Sequence, residues 1–317
     1  MSSDSPIAYS SGRPMTLSAI ALMLLCCLSW GFNQIAVKLV LPEVPPLLQA
    51  TIRSSGALVV IMLVALSRRV DLFKRDGTLK AGLLAGVLFA LEFVLIYRGL
   101  LLTTASRAVV FLYTAPFFVA LGSYRLLGER LRPLQWAGLG LSFAGVALAI
   151  GVPQPDVDRS VLLGDLMLVG GGALWAATTM IVKTTALGRA PAEKGLGYQV
   201  AVSIPILGAA AWLTGETVPA MPGALSLALL AYQAVWVVGL TFLLWFALVK
   251  TYSASTLSSF TFITPLFGVA AGYLVLNEPL SPAFGAAALL VIAGLYLVNK
   301  PPRRQPRRGP PAPDLPA

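Results

Sequence analysis

The stretch WGFNQIAVK at residues 30–38 recurs without a gap as WAATTMIVK at residues 175–183. Each copy sets a tryptophan, two adjacent polar residues and a lysine in an apolar run: Trp30, Asn33, Gln34 and Lys38 in the first, Trp175, Thr178, Thr179 and Lys183 in the second. Self-similarity at a fixed separation marks two related halves. A second match extends the repeat. With Pro116 set on Pro265, Ala105 and Ser106 fall on Ala254 and Ser255, Phe111 on Phe260, and Tyr124 on Tyr273. At the same register Glu129 meets Glu278, Leu131 meets Leu280, Pro133 meets Pro282, and Ala144 with Gly145 meet Ala293 with Gly294.

The solvent for these repeats follows from composition. Of 317 residues, 57% are hydrophobic and 11% are charged, with mean hydropathy +0.82, whereas a soluble chain carries about 25% charged residues. Breaks at proline, glycine and charge clusters divide the chain into ten candidate spans, at 17–40, 46–66, 80–99, 103–125, 134–152, 162–183, 195–213, 225–249, 253–275 and 282–299. A helix needs about 20 apolar residues to cross a hydrocarbon core of about 30 Å, and a barrel strand only about 10 of alternating polarity. The expected fold is therefore an all-α polytopic membrane protein of ten transmembrane helices. The first apolar run has no small-residue cleavage site and reads as a retained span, not a signal peptide.

Charge orients the spans. With the N-terminus inside, Arg68, Arg69, Lys74, Arg75, Lys80, Arg125, Arg130, Arg132, Arg189 and Lys194 are cytoplasmic, as is the basic tail. Asp156, Asp158, Glu216 and Glu278 lie opposite, with Arg98, Arg107 and Arg159 as exceptions. This bias places both termini in the cytoplasm of a bacterial inner membrane. The net charge of +10 is spread over loops and tail, which suits anionic lipid headgroups and not nucleic acid. The division that results is a cytoplasmic segment 1–16, a first five-helix repeat 17–152, a periplasmic linker 153–161, a second repeat 162–299 and a proline-rich basic tail 300–317.

Five spans per repeat is an odd number, so the second copy enters the membrane inverted around a central cavity. Inverted copies of one bundle form outward-open and inward-open states of similar energy, which is the basis of alternating access. The competing reading is a duplication that served folding alone, in a channel or a structural or receptor-like membrane protein. An enzyme is disfavoured: the chain has no histidine, nucleophile elbow, zincin signature or phosphate loop. Neither a metal nor a cofactor is expected, and no obligatory protein partner is evident. Cys26 and Cys27, adjacent in an apolar run, read as small hydrophobes.

The duplicated W-G-x-N…K pattern, the proline-centred TAPFF and ITPLF at 114–118 and 263–267, and GERLRP and NEPLSP at 128–133 and 277–282 resemble the EamA family of the drug/metabolite transporter superfamily. The likeness covers nearly the whole membrane region and is greatest to the YddG-type bacterial exporters of aromatic amino acids. It implies ten helices in inverted repeats, a cavity lined by spans 1, 3, 4, 6, 8 and 9, and export of amino acids or similar small metabolites.

Helical spacing places Trp30, Asn33, Gln34 and Lys38 on one stripe, and Trp175, Thr178, Thr179 and Lys183 on its counterpart. Polar groups on a membrane helix face the bundle or a wet cavity. Tryptophan offers a stacking face and the amides suit a zwitterion; interhelical hydrogen bonding is the alternative. Tyr232, Trp236 and Gly239 form a further candidate wall, as do Ser255, Ser259 and Phe262. Lys38 and Lys183 are gate candidates at opposite mouths, or snorkelling lysines. Arg53 and Glu92 are deep ionisable candidates for an ion pair or a proton site. Arg98 and Arg107 would attract a carboxylate or meet headgroups. Pro116 and Pro265 are read as mid-span hinges. A phosphate-ester or nucleotide-sugar antiporter would need several deep cations, so an uncharged or zwitterionic substrate is favoured, with other neutral metabolites or drugs as alternatives.

Overall fold

The computed structural model describes residues 14–103, 111–150, 158–276 and 283–300, and every regular element among them is helical. The long helices are α1 (Leu17–Val40), α2 (Pro46–Ser67), α3 (Leu79–Leu102), α4 (Ala115–Leu127), α5 (Pro133–Ile150), α6 (Arg159–Thr184) and α7 (Ala192–Leu213). Helix α8 runs through Ala224–Ala231, a π-helical stretch Tyr232–Thr241 and Phe242–Thr251. Helix α9 joins Ala254–Ser259, a 3-10 turn Phe260–Ile263 and Thr264–Leu276, and α10 is Phe284–Asn299. Of these, α1, α2, α3, α6, α7, α8 and α9 are long and apolar enough to cross a membrane, while α4, α5 and α10 are shorter apolar helices. The chain is a multi-pass membrane protein. Its outer surface agrees: Leu63, Leu66, Leu166, Trp212, Leu225 and Leu289 are all more than half exposed, as side chains facing lipid are.

Local signals set the boundaries. The Thr16 hydroxyl accepts the Ala19 N–H at 3.2 Å, capping α1. Helices α2 and α7 both begin after an extended proline, Pro45 and Pro191. Helix α4 stops at Gly128, whose φ of +66° suits a residue without Cβ.

The two prolines expected in mid-span occupy first turns instead. Pro116 is the second residue of α4, and Pro265 is the second residue of the last segment of α9. Hydrogen bonding resets before each, at the Tyr113–Thr114 turn and the Phe260–Ile263 3-10 turn, so proline stands where an N–H would lack an intrahelical partner anyway.

Packing pairs α5 with α10 and α2 with α7; α3 lies against α6 and α7, α8 against α1 and α2, α4 against α6, and α9 against α1. Close approach through glycine explains several of these contacts. A Cβ on Gly138 would meet Gly294 O at 2.7 Å, and one on Gly145 would meet Ala287 O at 2.8 Å. Gly82 and Gly86 receive Tyr198 and Val202 of α7, and Gly31 abuts Gly268. One apolar core gathers Met23, Cys27, Leu47, Ile61, Leu196 and Leu207, and a second forms around Leu139, Val146, Phe262 and Val291.

Ionic contacts tie the short loops to the helix ends. Arg68 Nη1 bonds Glu193 Oε1 at 3.0 Å, and Lys194 Nζ bonds Asp76 Oδ1 at 2.9 Å. Lys194, expected to face headgroups, is only 2% exposed and is folded under the α2–α3 loop. The Thr78 hydroxyl and then the Lys194 ammonium lower the Asp76 carboxyl from its ordinary 3.8 to about 2. At the other end of α2, Glu216 Oε2 accepts the Leu48 N–H at 3.0 Å, where a carboxylate favours the helix N-terminus.

Candidate functional site

A cavity of about 150 Å³ lies between the helices, far above the ~10–15 Å³ that one water requires. Helix α1 contributes Trp30, Asn33 and Val37, and α6 contributes Trp175, Thr178, Thr179 and Val182. These positions are the cavity-facing part of the repeated stripe; α1, packed on α8 and α9, and α6, packed on α3 and α4, both turn them into the cavity. Helix α3 adds Phe89, Glu92, Phe93 and Tyr97, and α8 adds Phe242, Trp245 and Phe246. Tyr113 and Leu112 close the wall before α4.

The aromatic lining is continuous. Trp245 stands between the two repeat tryptophans, 5.7 Å from Trp30 and 5.9 Å from Trp175 between ring centroids. Phe242 lies edge-on to Trp30 at 5.9 Å, and Tyr113 edge-on to Trp175 at 6.4 Å. Trp30 Nε1 donates to Thr241 Oγ1 at 2.8 Å, and that hydroxyl donates to Val237 O at 2.6 Å. The indole is therefore pinned by the π-helical stretch of α8, whose wider turn brings Thr241 to it.

Into this apolar wall project buried polar groups without hydrogen-bond partners among the described residues: Arg53 Nε and Nη2, Asn33 Oδ1, Thr178 Oγ1 and Gln199 Nε2. Each of these side chains lines the cavity. An unpaired buried polar atom costs about 1–3 kcal/mol, so several converging on one space mark where a ligand or water supplies the missing partner. Arg53 is 3% exposed, with its guanidinium carbon 4.2 Å from the Phe93 ring centre and 5.8 Å from that of Tyr97. Such stacking stabilises the cation by about 0.5–2 kcal/mol. Glu92, adjacent to Phe93, places a carboxyl group in the same cavity.

Not every residue singled out in the sequence reaches it. The side chain of Gln34 and all of Arg107 lie outside the described residues. Tyr232 Oη donates to Ser29 O at 3.0 Å and Trp236 Nε1 to Ser29 Oγ at 2.9 Å, both away from the cavity. The two share a face of α8, but that face turns to Ser29 of α1, while Gly239 packs on Val60 of α2. Ser255 Oγ donates to Glu129 Oε2 at 2.9 Å and Ser259 Oγ to Thr256 O at 2.7 Å, so neither lines the cavity. Phe262 is fully buried in the second core. Lys38 and Arg98 are exposed on α1 and α3, outside the cavity. Lys183 Nζ donates to Tyr252 O at 2.5 Å, near the Glu129 carboxylate. The cavity differs from the one implied by the resemblance: α2 and α7 supply Arg53 and Gln199, and α9 supplies nothing.

Gln199 was not among the candidates read from the sequence, although a glutamine within an apolar run was signal enough. Trp245, Phe242 and Tyr97 offered no such signal, because aromatic residues on membrane helices serve packing and interfacial belts equally. Among the described residues no cluster of metal-ligating side chains occurs.

Comparison with known proteins places this architecture. A solved crystal structure of a protein superposes with a TM-score of 0.77 at 20% identity, over 89% of this chain and 96% of its own. Uncharacterized transporter YvbV of Bacillus subtilis (strain 168) is 29% identical over 92% of this chain and 94% of its own. The "Probable amino-acid metabolite efflux pump" of Escherichia coli (strain K12) is 28% identical over 87% of this chain and 93% of its own. The riboflavin transporter of Rhizobium johnstonii is 29% identical over 65% and 66%. The EamA-like transporter family matches at residues 17–151 and 162–300. With both halves matched and the helical architecture shared, the chain belongs to the EamA-like transporter family, a family of membrane transporters.

Proposed function

We propose that this transporter exports small metabolites, aromatic amino acids foremost, from the bacterial cytoplasm by alternating access between two inverted halves. Ten spans, divided as 17–152 and 162–299 with both termini cytoplasmic, form the scaffold. The observation that carries the substrate reading is the cavity itself: three tryptophans around one buried cation, one carboxyl group and neutral hydrogen-bonding groups. An aromatic body stacks on the indoles while a zwitterionic head meets Arg53 and the polar groups. A phosphate ester would call for more than one deep cation.

Packing supports the inverted halves. Exchanging each helix for the one five places on maps α5–α10 and α2–α7 onto themselves. It maps α3–α6 onto α8–α1, α3–α7 onto α8–α2, and α4–α6 onto α9–α1. The Gly138–Gly294 contact exchanges with Ala287–Gly145 in the register of the sequence repeat. In this reading Lys183, on Tyr252 O, closes the cytoplasmic end; Lys38 is its counterpart at the outer mouth, and the breaks before Pro116 and Pro265 are the hinges.

The full-length chain in liposomes tests this by uptake and counterflow of labelled phenylalanine, tryptophan, threonine, riboflavin and a triose phosphate. Saturable counterflow of the aromatic amino acids is expected. Uptake of the phosphate alone would overturn the substrate reading, and non-saturable flux would indicate a channel.

A further inference from the structure

We propose that the open edge of Arg53 forms a carboxylate-binding subsite in the cavity, so that a ligand needs a carboxylate for recognition there. The proposal rests on the same cavity being the substrate site, and it adds which group is read and by which side chain.

The geometry of the guanidinium carries it. Arg53 Nε and Nη2 have no hydrogen-bond partner among the described residues. These two nitrogens form one side edge of the guanidinium, with two parallel N–H bonds at the spacing of the two oxygens of a carboxylate. The face of the group is occupied by Phe93 at 4.2 Å, which fixes the plane and leaves that edge open. Glu92 shares the cavity, yet its carboxyl group does not fill the edge. A monoanion from outside is what matches two parallel donors.

Gln199 stands farther along the same cavity. Helices α2 and α7 run antiparallel: Ser203 Oγ donates to Ser54 Oγ at 3.1 Å, Gly208 lies beside Thr51 and Gly197 beside Ile61, so Gln199 falls toward the Ile61 end of α2, away from the level of Arg53. Gln199 is 1% exposed with Nε2 unpaired, and lines the same cavity. The unpaired acceptor Asn33 Oδ1, on α1, is left for a donor elsewhere on the ligand. One guanidinium edge suits a carboxylate better than a phosphate dianion, for which a second cation would be expected.

Quenching of tryptophan fluorescence reads binding directly, because Trp30, Trp175 and Trp245 form the wall. The probes are phenylalanine, 3-phenylpropionate, phenylalaninamide and 2-phenylethylamine, titrated into the purified full-length protein. Both acids are expected to bind at least about 10-fold more tightly than the amide or the amine, as sites built around unpaired donors discriminate. Arg53→Gln is expected to bring acid and amide to near-equal affinity, while Arg53→Lys, a point charge without the fork, keeps part of the preference. Equal binding of acid and amide to the native chain, or a preference that survives Arg53→Gln, overturns the proposal. Should Arg53→Gln fail to fold, the acid-to-amide ratio of the native chain decides alone. Counterflow with the same probes separates the two readings: acids that bind but do not exchange sink transport of amino acids and leave the subsite, whereas equal exchange of acid and amide sinks the subsite and leaves transport.

Discussion

Arg53 and Lys194 are both cations with almost no exposure, 3% and 2%, yet their surroundings differ in kind. Lys194 is satisfied by Asp76 and by Lys74 O, while the Nε–Nη2 edge of Arg53 has no hydrogen-bond partner among the described residues. The first is a structural clamp and the second faces a ligand space. The clamp is asymmetric: the lysine side chain is 1% exposed and the aspartate 25%. Removing the aspartate strands a buried charge; removing the lysine leaves a carboxylate that water can reach. Asp76→Ala should therefore lower the unfolding midpoint in detergent more than Lys194→Met does, and the reverse order would contradict the burial. Because the Asp76 carboxyl is held below its ordinary value, at about 2, its contribution is complete above pH 4 and is lost as pH falls through about 2. Proteolytic nicking of the loop before α3 should be constant from pH 7 to 4, with Asp76→Asn raising it at neutral pH. The Trp30–Thr241 bond invites a double-mutant cycle: Trp30→Phe and Thr241→Val remove the same contact, so their effects on stability should fall short of additive by about 0.6 kcal/mol.

At the scale of the element, helices that touch through backbone tolerate no added methyl group. A Cβ on Gly294 would sit 2.2 Å from Ser142 Oγ and 2.5 Å from Gly138 O, whereas one on Gly140 meets nothing within 4 Å. Gly294→Ala is expected to destabilise by about 1–3 kcal/mol, and Gly140→Ala to stabilise by up to about 1 kcal/mol through helix propensity. Thermal unfolding of the two variants in one detergent compares them directly. Proline placement yields a split between stability and rate. Pro265 stands in a first turn, so Pro265→Ala should leave the unfolding midpoint nearly unchanged while slowing counterflow if the break is a hinge. The elements also show where periodicity misleads. The Trp30 and Trp175 stripes face the cavity, whereas Tyr232 and Trp236 share a face that meets Ser29 of α1 instead. Nothing in the residues Tyr232–Thr241 announces which way that face turns; it is decided where α8 packs against α1 and α2.

For the whole molecule, the proposed inverted arrangement predicts sidedness. With Cys26 and Cys27 replaced by alanine, a cysteine at Arg189 should react with an impermeant maleimide only from the cytoplasm, and one at Glu216 only from outside. Labelling of both from one side would refute the topology. Hydropathy and the internal repeat, both properties of the chain, were enough to read helices, membrane and two related halves, since lipid permits few other structures and duplication leaves its register in the residues. The stripe residues Trp30, Asn33, Trp175, Thr178 and Thr179 were legible for the same reason: a polar side chain within a span has few places to go. Tertiary structure alone decided the rest. That Arg53 stacks on Phe93, that Gln199 lines the same cavity, that Trp245 bridges the two repeat tryptophans, and that Glu129 reaches Ser253 and Ser255 all depend on how helices distant in sequence rotate and cross. Those rotations are set by glycine contacts and side-chain packing between helices, which no single helix encodes.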